Sequence, residues 1–518
     1  MNGSHPHAVR EVLALSTAGR MRLRSALFVS GAAVMALEIL GTRMIGPHFG
    51  VGLFVWTSLI TVTLVALALG YWLGGSLADR YPALNCFAGL LFAAACAVTI
   101  IPLLREPVLA HAWRLGLRGG SLAASITLFF PSLFLLGMVS PFAVRLEACG
   151  TERAGRSAGR LYAISTTGSV LGAMFTGFVL VPSLRVPMVL VLVAVALALC
   201  SLWVAGIGWR KRAVLTIAVL GLAAACAVWP HPRPPGLVEA RTSAAGTDLR
   251  VVDEGGNRYL FVDGIIQTSM DGQGRSRDRY AYLLAARLLM ARPQAKTVAL
   301  VGIGGGGIVP LLERQGLLVE GVELLPEVIA LARAHFGLSL PPARVHVMDG
   351  RVFLKQRPGR FDGIVLDAFS GDRLAYPLVS REGLETARQA LSRGGILALN
   401  TWGLDSASGQ PNAVGAAIRL TLQQVFRHVL EVPAQGNLLF FASDEPITPA
   451  REPVELATFE GPLSFTWAPV PPVRWPDAPI LTDDWNPVDV LDIAGLEAGR
   501  AARQASFPAP VRTALAWE

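Results

Sequence analysis

Glu323, Asp349 and Asp367 are the residues of this 518-residue chain best placed to do chemistry. Each closes a short apolar run: Val319-Glu-Gly-Val-Glu323, Val345-His-Val-Met-Asp349 and Phe361-Asp-Gly-Ile-Val-Leu-Asp367. Ahead of them lies Val298-Ala-Leu-Val-Gly302-Ile-Gly304-Gly305-Gly306-Gly307-Ile308. A carboxylate can accept from hydroxyls or amino groups, take a proton from a nucleophile, or offset a cation. Glycines permit positive φ and let backbone amides come close to a ligand. Glu323 follows the turn by about 20 residues, the spacing at which a strand-end carboxylate meets both ribose hydroxyls in a doubly wound sheet.

The elements that must position these groups follow from the pattern. Val298–Val301 and Val319–Val322 read as buried strands flanking a helix, and the runs ending at Asp349 and Asp367 read as strands three and four. Ligands of such sheets bind beyond the carboxyl ends of the strands, so the three acids converge on one crevice. Pyrophosphate would favour fewer acids there. A cationic adenosyl ligand fits better, and S-adenosylmethionine, with its sulfonium, is one. Asp349, in an Asp-Gly turn, is placed to accept from an adenine amino group. Upstream, alternation around Gly255-Gly-Asn predicts a β-hairpin, and Asp278–Met290 has a helical pattern containing Tyr280 and Tyr282.

Composition divides the chain. It is 53% hydrophobic and 16% charged, against about 25% charged for a soluble globular protein. The apolar excess lies mainly before Pro230. Seven segments approach the roughly 20 apolar residues of a spanning helix: Ala26–Ile45, Leu53–Leu73, Cys86–Leu104, Leu122–Val144, Leu161–Pro182, Met188–Ile207 and Ala213–Trp229. Small residues such as Gly168, Gly172 and Gly177 suit close helix packing. Glu38 and Arg43, costly in lipid, are expected to pair with each other or with groups on other helices. The net charge of +8 forms no runs that would track a nucleic acid, so none is expected as a partner. The five cysteines show neither zinc-ligand nor CxxC spacing, so no metal is expected. Arg20, Arg22 and Arg24 put the N-terminus on the cytoplasmic side. Seven spans would then export the C-terminal half, whereas the supply of an adenosyl cofactor argues for the cytoplasm. Either one span is miscounted or the C-terminal domain lies outside; the expectation is a multi-pass inner-membrane protein, with the cofactor argument favouring a cytoplasmic C-terminal domain.

The blocks Val262-Asp-Gly-Ile-Ile-Gln267-Thr, the glycine loop, Gly321-Val-Glu323, Met348-Asp-Gly350 and Phe361–Asp367 resemble the spermidine synthase (polyamine aminopropyltransferase) family. With Leu37-Glu-Ile-Leu-Gly-Thr-Arg43, Asp367-Ala-Phe-Ser-Gly-Asp372 and Leu481-Thr-Asp-Asp-Trp-Asn-Pro487, the whole chain is similar to the bacterial integral-membrane members of that family. The resemblance implies decarboxylated S-adenosylmethionine (or S-adenosylmethionine) as co-substrate, an amine acceptor such as putrescine, and often a homodimer. It implies Asp367 as proton acceptor, and Gly302, Gly304, Gly305, Gly306, Glu323, Asp349 and Gly350 as the adenosyl site. Gln267, Tyr282, Ser370 and Asp372 would meet the substrate. Three positions depart from the family pattern. Gly305 stands where the family has a loop aspartate, Leu283 where it has a histidine, and Ser370 where it has the second aspartate of Asp-x-x-Asp-Pro. Two other readings therefore stay open: another S-adenosylmethionine-dependent transferase, such as a methyltransferase, and a weakly catalytic adenosyl-binding domain regulating a transporter-like bundle.

The expected architecture has two parts. One is an all-α polytopic membrane bundle of about seven helices. The other is an α/β Rossmann-like S-adenosylmethionine-dependent transferase fold preceded by a β-hairpin region. Expected boundaries are a basic tail (1–24), the helical domain (25–229), a proline-rich linker (230–240), the hairpin region (241–270), the Rossmann-like domain (271–447) and a C-terminal extension (448–518).

Overall fold

The computed structural model describes residues 16–49, 52–147, 154–205, 236–243, 247–370, 373–405, 408–434, 436–447, 453–465 and 475–491, with a few single positions besides. Two compact units result, 1–231 with 244–246, and 232–243 with 247–518.

The first unit is helical: α1 (Thr17–Phe49), α2 (Leu53–Arg80), α3 (Leu84–Ala112), α4 (Gly116–Glu147), α5 (Ala154–Phe175) and α6 (Val186–Ala205). A π-turn, Thr176–Leu180, extends α5. Among the described residues, five stretches are long and apolar enough to cross a membrane, one of them containing both α3 and α4. Six of the seven expected spans fall on these helices, and Ala213–Trp229 lies outside the described residues, as does the proline run 230–235. The small-residue spacing has a packing consequence. A Cβ on Gly168 would lie 2.1 Å from the Phe28 carbonyl oxygen, and one on Gly172 would lie 2.5 Å from Ala32 Cα. The two glycines thus let α5 lie against α1 at backbone distance.

The charges of this unit do not pair as expected from spacing. Glu38 makes no hydrogen bond or ion pair among the described residues. Arg24 of α1 instead meets Glu147 of α4, and Arg145 Nε donates to Asp79 at 2.7 Å. Buried Arg105 donates from Nε and Nη2 to the Met44 carbonyl at 3.2 and 3.1 Å. That contact satisfies a carbonyl in the last turns of α1 and keeps the guanidinium hydrogen-bonded inside the bundle.

The second unit begins with a four-stranded antiparallel sheet rather than a single hairpin. Its strands, in spatial order, are β1 (Leu237–Thr242), β2 (Asp248–Glu254), β3 (Asn257–Val262) and β4 (Ile265–Met270). Then follow α7 (Arg279–Ala291), β5 (Thr297–Val301), α8 (Val309–Glu313), β6 (Leu318–Glu323), α9 (Pro326–His335), β7 (Val345–Val347), α10 (Gly350–Lys355) and β8 (Phe361–Leu366). A small hairpin, β9 (Phe369–Ser370) and β10 (Arg373–Leu374), precedes α11 (Arg381–Ala390), β11 (Leu391–Thr401), α12 (Ala413–Val425), β12 (His428–Ala434) and β13 (Asn437–Ser443).

The seven-stranded sheet has the order β12-β13-β11-β8-β5-β6-β7. Strands β5, β6, β7, β8 and β11 are parallel, while β13 runs antiparallel to β11 and β12. The chain winds outward from β5 through β6 to β7, then returns to β8 on the other side of β5. That reversal opens a crevice where β5 and β8 end side by side. Alternate residues of β5 face opposite layers. Val298 and Leu300 join one core with α7, while Ala299 and Val301 join the other with α10 and α11. Burial on both faces explains why these strands read as continuous apolar runs. The small sheet is fastened by Leu249, Val251, Leu260 and Val262 packing on Val328, Leu331 and Phe336 in and just after α9.

Candidate active site

At the switch point Val301 pairs with Leu366, so the residues that follow, Gly302 and Asp367, emerge together. Gly302 has φ +90° and donates its N–H to the Val322 carbonyl at 3.0 Å. A Cβ there would sit 2.2 Å from the Asp367 carbonyl oxygen. Only glycine permits both this turn and this approach. The loop then passes over the ends of β5 and β6.

Glu323, at the end of β6, anchors the loop. Its Oε2 accepts from the amides of Ile303 and Gly304 at 3.2 and 3.4 Å, and its Oε1 accepts from Leu324 and Leu325 at 2.8 and 3.2 Å. Burial pushes its carboxyl upward, and the four amides oppose that shift. The loop is also held from below, because Thr268 Oγ1 on β4 accepts from the Gly305 amide at 2.8 Å. A Cβ on Gly305 would lie 2.7 Å from Thr268 Cγ2. The buried threonine fills the space through which a side chain at 305 would leave the loop. Gly305→Asp is therefore expected to cost about 1–3 kcal/mol of stability through overpacking. Chemical denaturation of the full chain checks this, with Gly305→Asp combined with Thr268→Gly recovering part of the loss.

The crevice opens into a cavity of about 630 Å³. Gln267, Gly302, Gly304, Glu323, Asp349, Gly350 and Asp367 line it, so the structure brings most of the sequence-predicted residues together. Gly305 and Gly306 belong to the loop but do not line the cavity. Tyr282 does not line it either: its hydroxyl donates to the Ser276 carbonyl at 2.5 Å and its side chain is buried. The tyrosine at the cavity is Tyr280, two residues earlier. Neighbours at i and i+2 on a helix point away from each other, so selecting between them required the packing of α7. Ser370 lies in β9, and Asp372 is outside the described residues. Asp349 caps α10, its Oδ1 accepting from the Val352 amide at 2.9 Å. Gly350 is small for packing, since a Cβ would approach Val301 Cγ1 to 2.4 Å.

Asp367 is held on both oxygens. Tyr280 Oη donates to Oδ2 at 3.0 Å, and Asn400 Nδ2 donates to Oδ1 at 2.8 Å. Asn437 Nδ2 in turn donates to Asn400 Oδ1 at 2.8 Å. Burial drives the Asp367 carboxyl above the usual carboxylate range, and the two donors pull it back. The same surroundings push the Tyr280 hydroxyl well up, through burial and the charges of Asp367 and Asp278. A half-buried, oriented carboxylate with a raised proton affinity is suited to general-base work. Asn400 is the penultimate residue of the fifth parallel strand, β11. The strand-end rule applied once more would have found it.

The C-terminal extension buttresses the Asp349 turn. Asp483 takes both guanidinium nitrogens of Arg351 at 2.8 and 2.9 Å and accepts from Ser380 Oγ at 2.6 Å. This fork fixes the first turn of α10 with a bidentate, charge-assisted pair. The Leu-Thr-Asp-Asp-Trp-Asn-Pro block thus does its visible work as a brace.

No protein-family model matches the chain. Among curated proteins, a polyamine aminopropyltransferase of Vibrio vulnificus is 31% identical over 138 residues, covering 24% of this chain and 46% of that protein. One of Chromobacterium violaceum is 28% identical over 204 residues, covering 38% of this chain and 76% of that protein. The chain thus spans under half the length of the first of these relatives and about three quarters of the second. Among solved structures, a probable spermidine synthase from Corynebacterium glutamicum has a TM-score of 0.35 at 18% identity, covering 41% of this chain and 81% of that one. The curated relatives that the chain is similar to are thus polyamine aminopropyltransferases and spermidine synthases.

Proposed function

We propose that this chain is a membrane-anchored aminopropyltransferase. It transfers the aminopropyl group of decarboxylated S-adenosylmethionine to an amine such as putrescine and releases methylthioadenosine. The observation that carries the reading is Asp367, a half-buried carboxylate held by Tyr280 and Asn400 at the mouth of the glycine loop. Its position matches what the reaction needs. The nucleophilic nitrogen attacks the carbon bonded to the sulfonium, the C–N bond forms as the C–S bond breaks, and the sulfur leaves as a neutral thioether. The nitrogen must shed a proton, and Asp367 is the group to receive it.

The remaining residues position the partners. Glu323 and the loop amides hold the ribose side, and Asp349 and Gly350 the adenine side. Gln267, Ser370 and Asp372 would meet the acceptor. The apolar helices of the first unit anchor the enzyme in the bilayer as a multi-pass protein.

The test is a product assay on the full chain in detergent or nanodiscs. Decarboxylated or ordinary S-adenosylmethionine is supplied with a panel of amines. Methylthioadenosine is the expected product. S-adenosylhomocysteine in its place would make the chain a methyltransferase. Neither product with any acceptor would leave an adenosyl-binding regulatory domain.

A further inference from the structure

Asp278 stands at the N-cap of α7, yet its side chain caps nothing there. Its Oδ2 accepts from the Ser269 amide on β4 at 3.0 Å, and its own N–H donates to Ser276 Oγ at 3.2 Å. Its Oδ1 makes no hydrogen bond among the described residues. The residue lines the same cavity as Asp367, Tyr280 and Gln267.

The charges around it are few. Asp367 across the cavity repels its ionised form, and Arg277 beside it attracts. Arg277, however, stacks on Phe459 at 5.2 Å and donates to Asn257 Oδ1 at 2.7 Å. Arg279 is paired with Glu460 at 2.6 Å. Neither arginine forms an ion pair with Asp278. Burial, with the Asp367 charge, lifts the Asp278 carboxyl to about 7. Two carboxylates in one cavity, whose lining arginines Arg277 and Arg279 are engaged by Phe459, Asn257 and Glu460, favour a ligand that brings a further cation. Loop position 305 cannot supply an acid because Thr268 occupies the way out.

We propose that Asp278 is the acceptor-binding carboxylate of this site. It holds the charged nitrogen of a di- or polyamine, and the uncharged nucleophilic nitrogen is left to Asp367. The inference rests on the aminopropyltransferase reading and adds the residue that selects the acceptor.

Asp278→Asn separates charge from structure, because the amide oxygen can still accept from Ser269. Calorimetry on the full chain in nanodiscs, at pH 8 with methylthioadenosine present, measures putrescine binding. The variant should bind putrescine at least tenfold more weakly than wild type. Its affinity for methylthioadenosine should stay within twofold, and that affinity also reports a folded site. Butylamine, with no second nitrogen, should lose much less. Wild-type putrescine affinity should rise from pH 6 to pH 8 as Asp278 ionises. The proposal is overturned if the variant binds putrescine as wild type does, if both ligands are lost together, or if the wild type binds no di- or polyamine. The function reading fails separately: putrescine binding that depends on Asp278, without methylthioadenosine formation, would sink that reading and keep this one.

Discussion

Asp367→Asn is expected to lower turnover by about a hundredfold to ten-thousandfold, the usual range for a general base. Methylthioadenosine binding should be unchanged, because the proposed donor side uses the loop, Glu323 and the β7–α10 turn. The geometry tolerates the amide. Its oxygen can face Asn400 Nδ2, and its NH₂ can donate to Tyr280, whose hydroxyl can turn to accept. The sign of the stability effect distinguishes this loss from misfolding. Burial raises the folded-state affinity of Asp367 for its proton, so the folded protein binds more protons than the unfolded chain just above the ordinary carboxylate range. Stability contributed by the protonated form is therefore lost as pH rises through that window. At pH 8 the neutral amide should be as stable as wild type or more so. Single-turnover kinetics and a denaturation curve at pH 8 check both halves. Turnover within threefold of wild type would remove Asp367 from the base role. Tyr280→Phe removes a donor to the ionised form, so the acidic limb of the rate profile should move to higher pH.

The second large effect is expected at Gly302. Alanine at φ +90° takes up a backbone conformation that costs roughly 1–2 kcal/mol. Its Cβ would also stand 2.2 Å from the Asp367 carbonyl oxygen and 2.7 Å from the carbonyl carbon. Backbone cannot rotate away as a side-chain tip can, so β5 and β8 must separate, at a further cost of about 1–3 kcal/mol. The strand ends that part are those carrying the loop and Asp367. Gly302→Ala should therefore lose methylthioadenosine binding as well as stability. Gly359→Ala is the control: its φ is +65° and nothing lies within 4 Å of the added Cβ. Gly359→Ala should show the conformational cost alone and bind nucleoside normally. Equal losses in the two variants would mean that the close approach to Asp367 carries no energy.

The parallel strands, the glycine turn and the acids at the strand ends were legible from periodicity and residue type. A strand buried on both faces must be apolar throughout, and a turn that crosses a strand end at close range must be glycine. Glu323, Asp349 and Asp367 could be placed at one crevice because parallel strands carry their carboxyl ends to one edge. The apolar helices were legible for an equally local reason: about 20 successive apolar residues have few other uses.

What spacing does not determine is which side chains meet across elements. Glu38 and Arg43 are near in sequence and do not pair, whereas Arg24 and Glu147, on different helices, do. Tyr280 rather than Tyr282 reaches Asp367 because α7 turns only one of the two toward the cavity. Asn400 sits near a strand end, within reach of the rule that places the acids, whereas Asp278 sits at a helix cap that local patterns mark only as a boundary. The sequence by itself determined the helical and α/β parts and the strand-end half of the candidate site, since both are written in short periodic runs. The tertiary structure decided the other half of the cavity, where Gln267, Asp278 and Tyr280 come to the same space as Asp367, Asn400 and Asn437. Those contacts are set by the packing of two sheets and α7, and no short-range pattern encodes them.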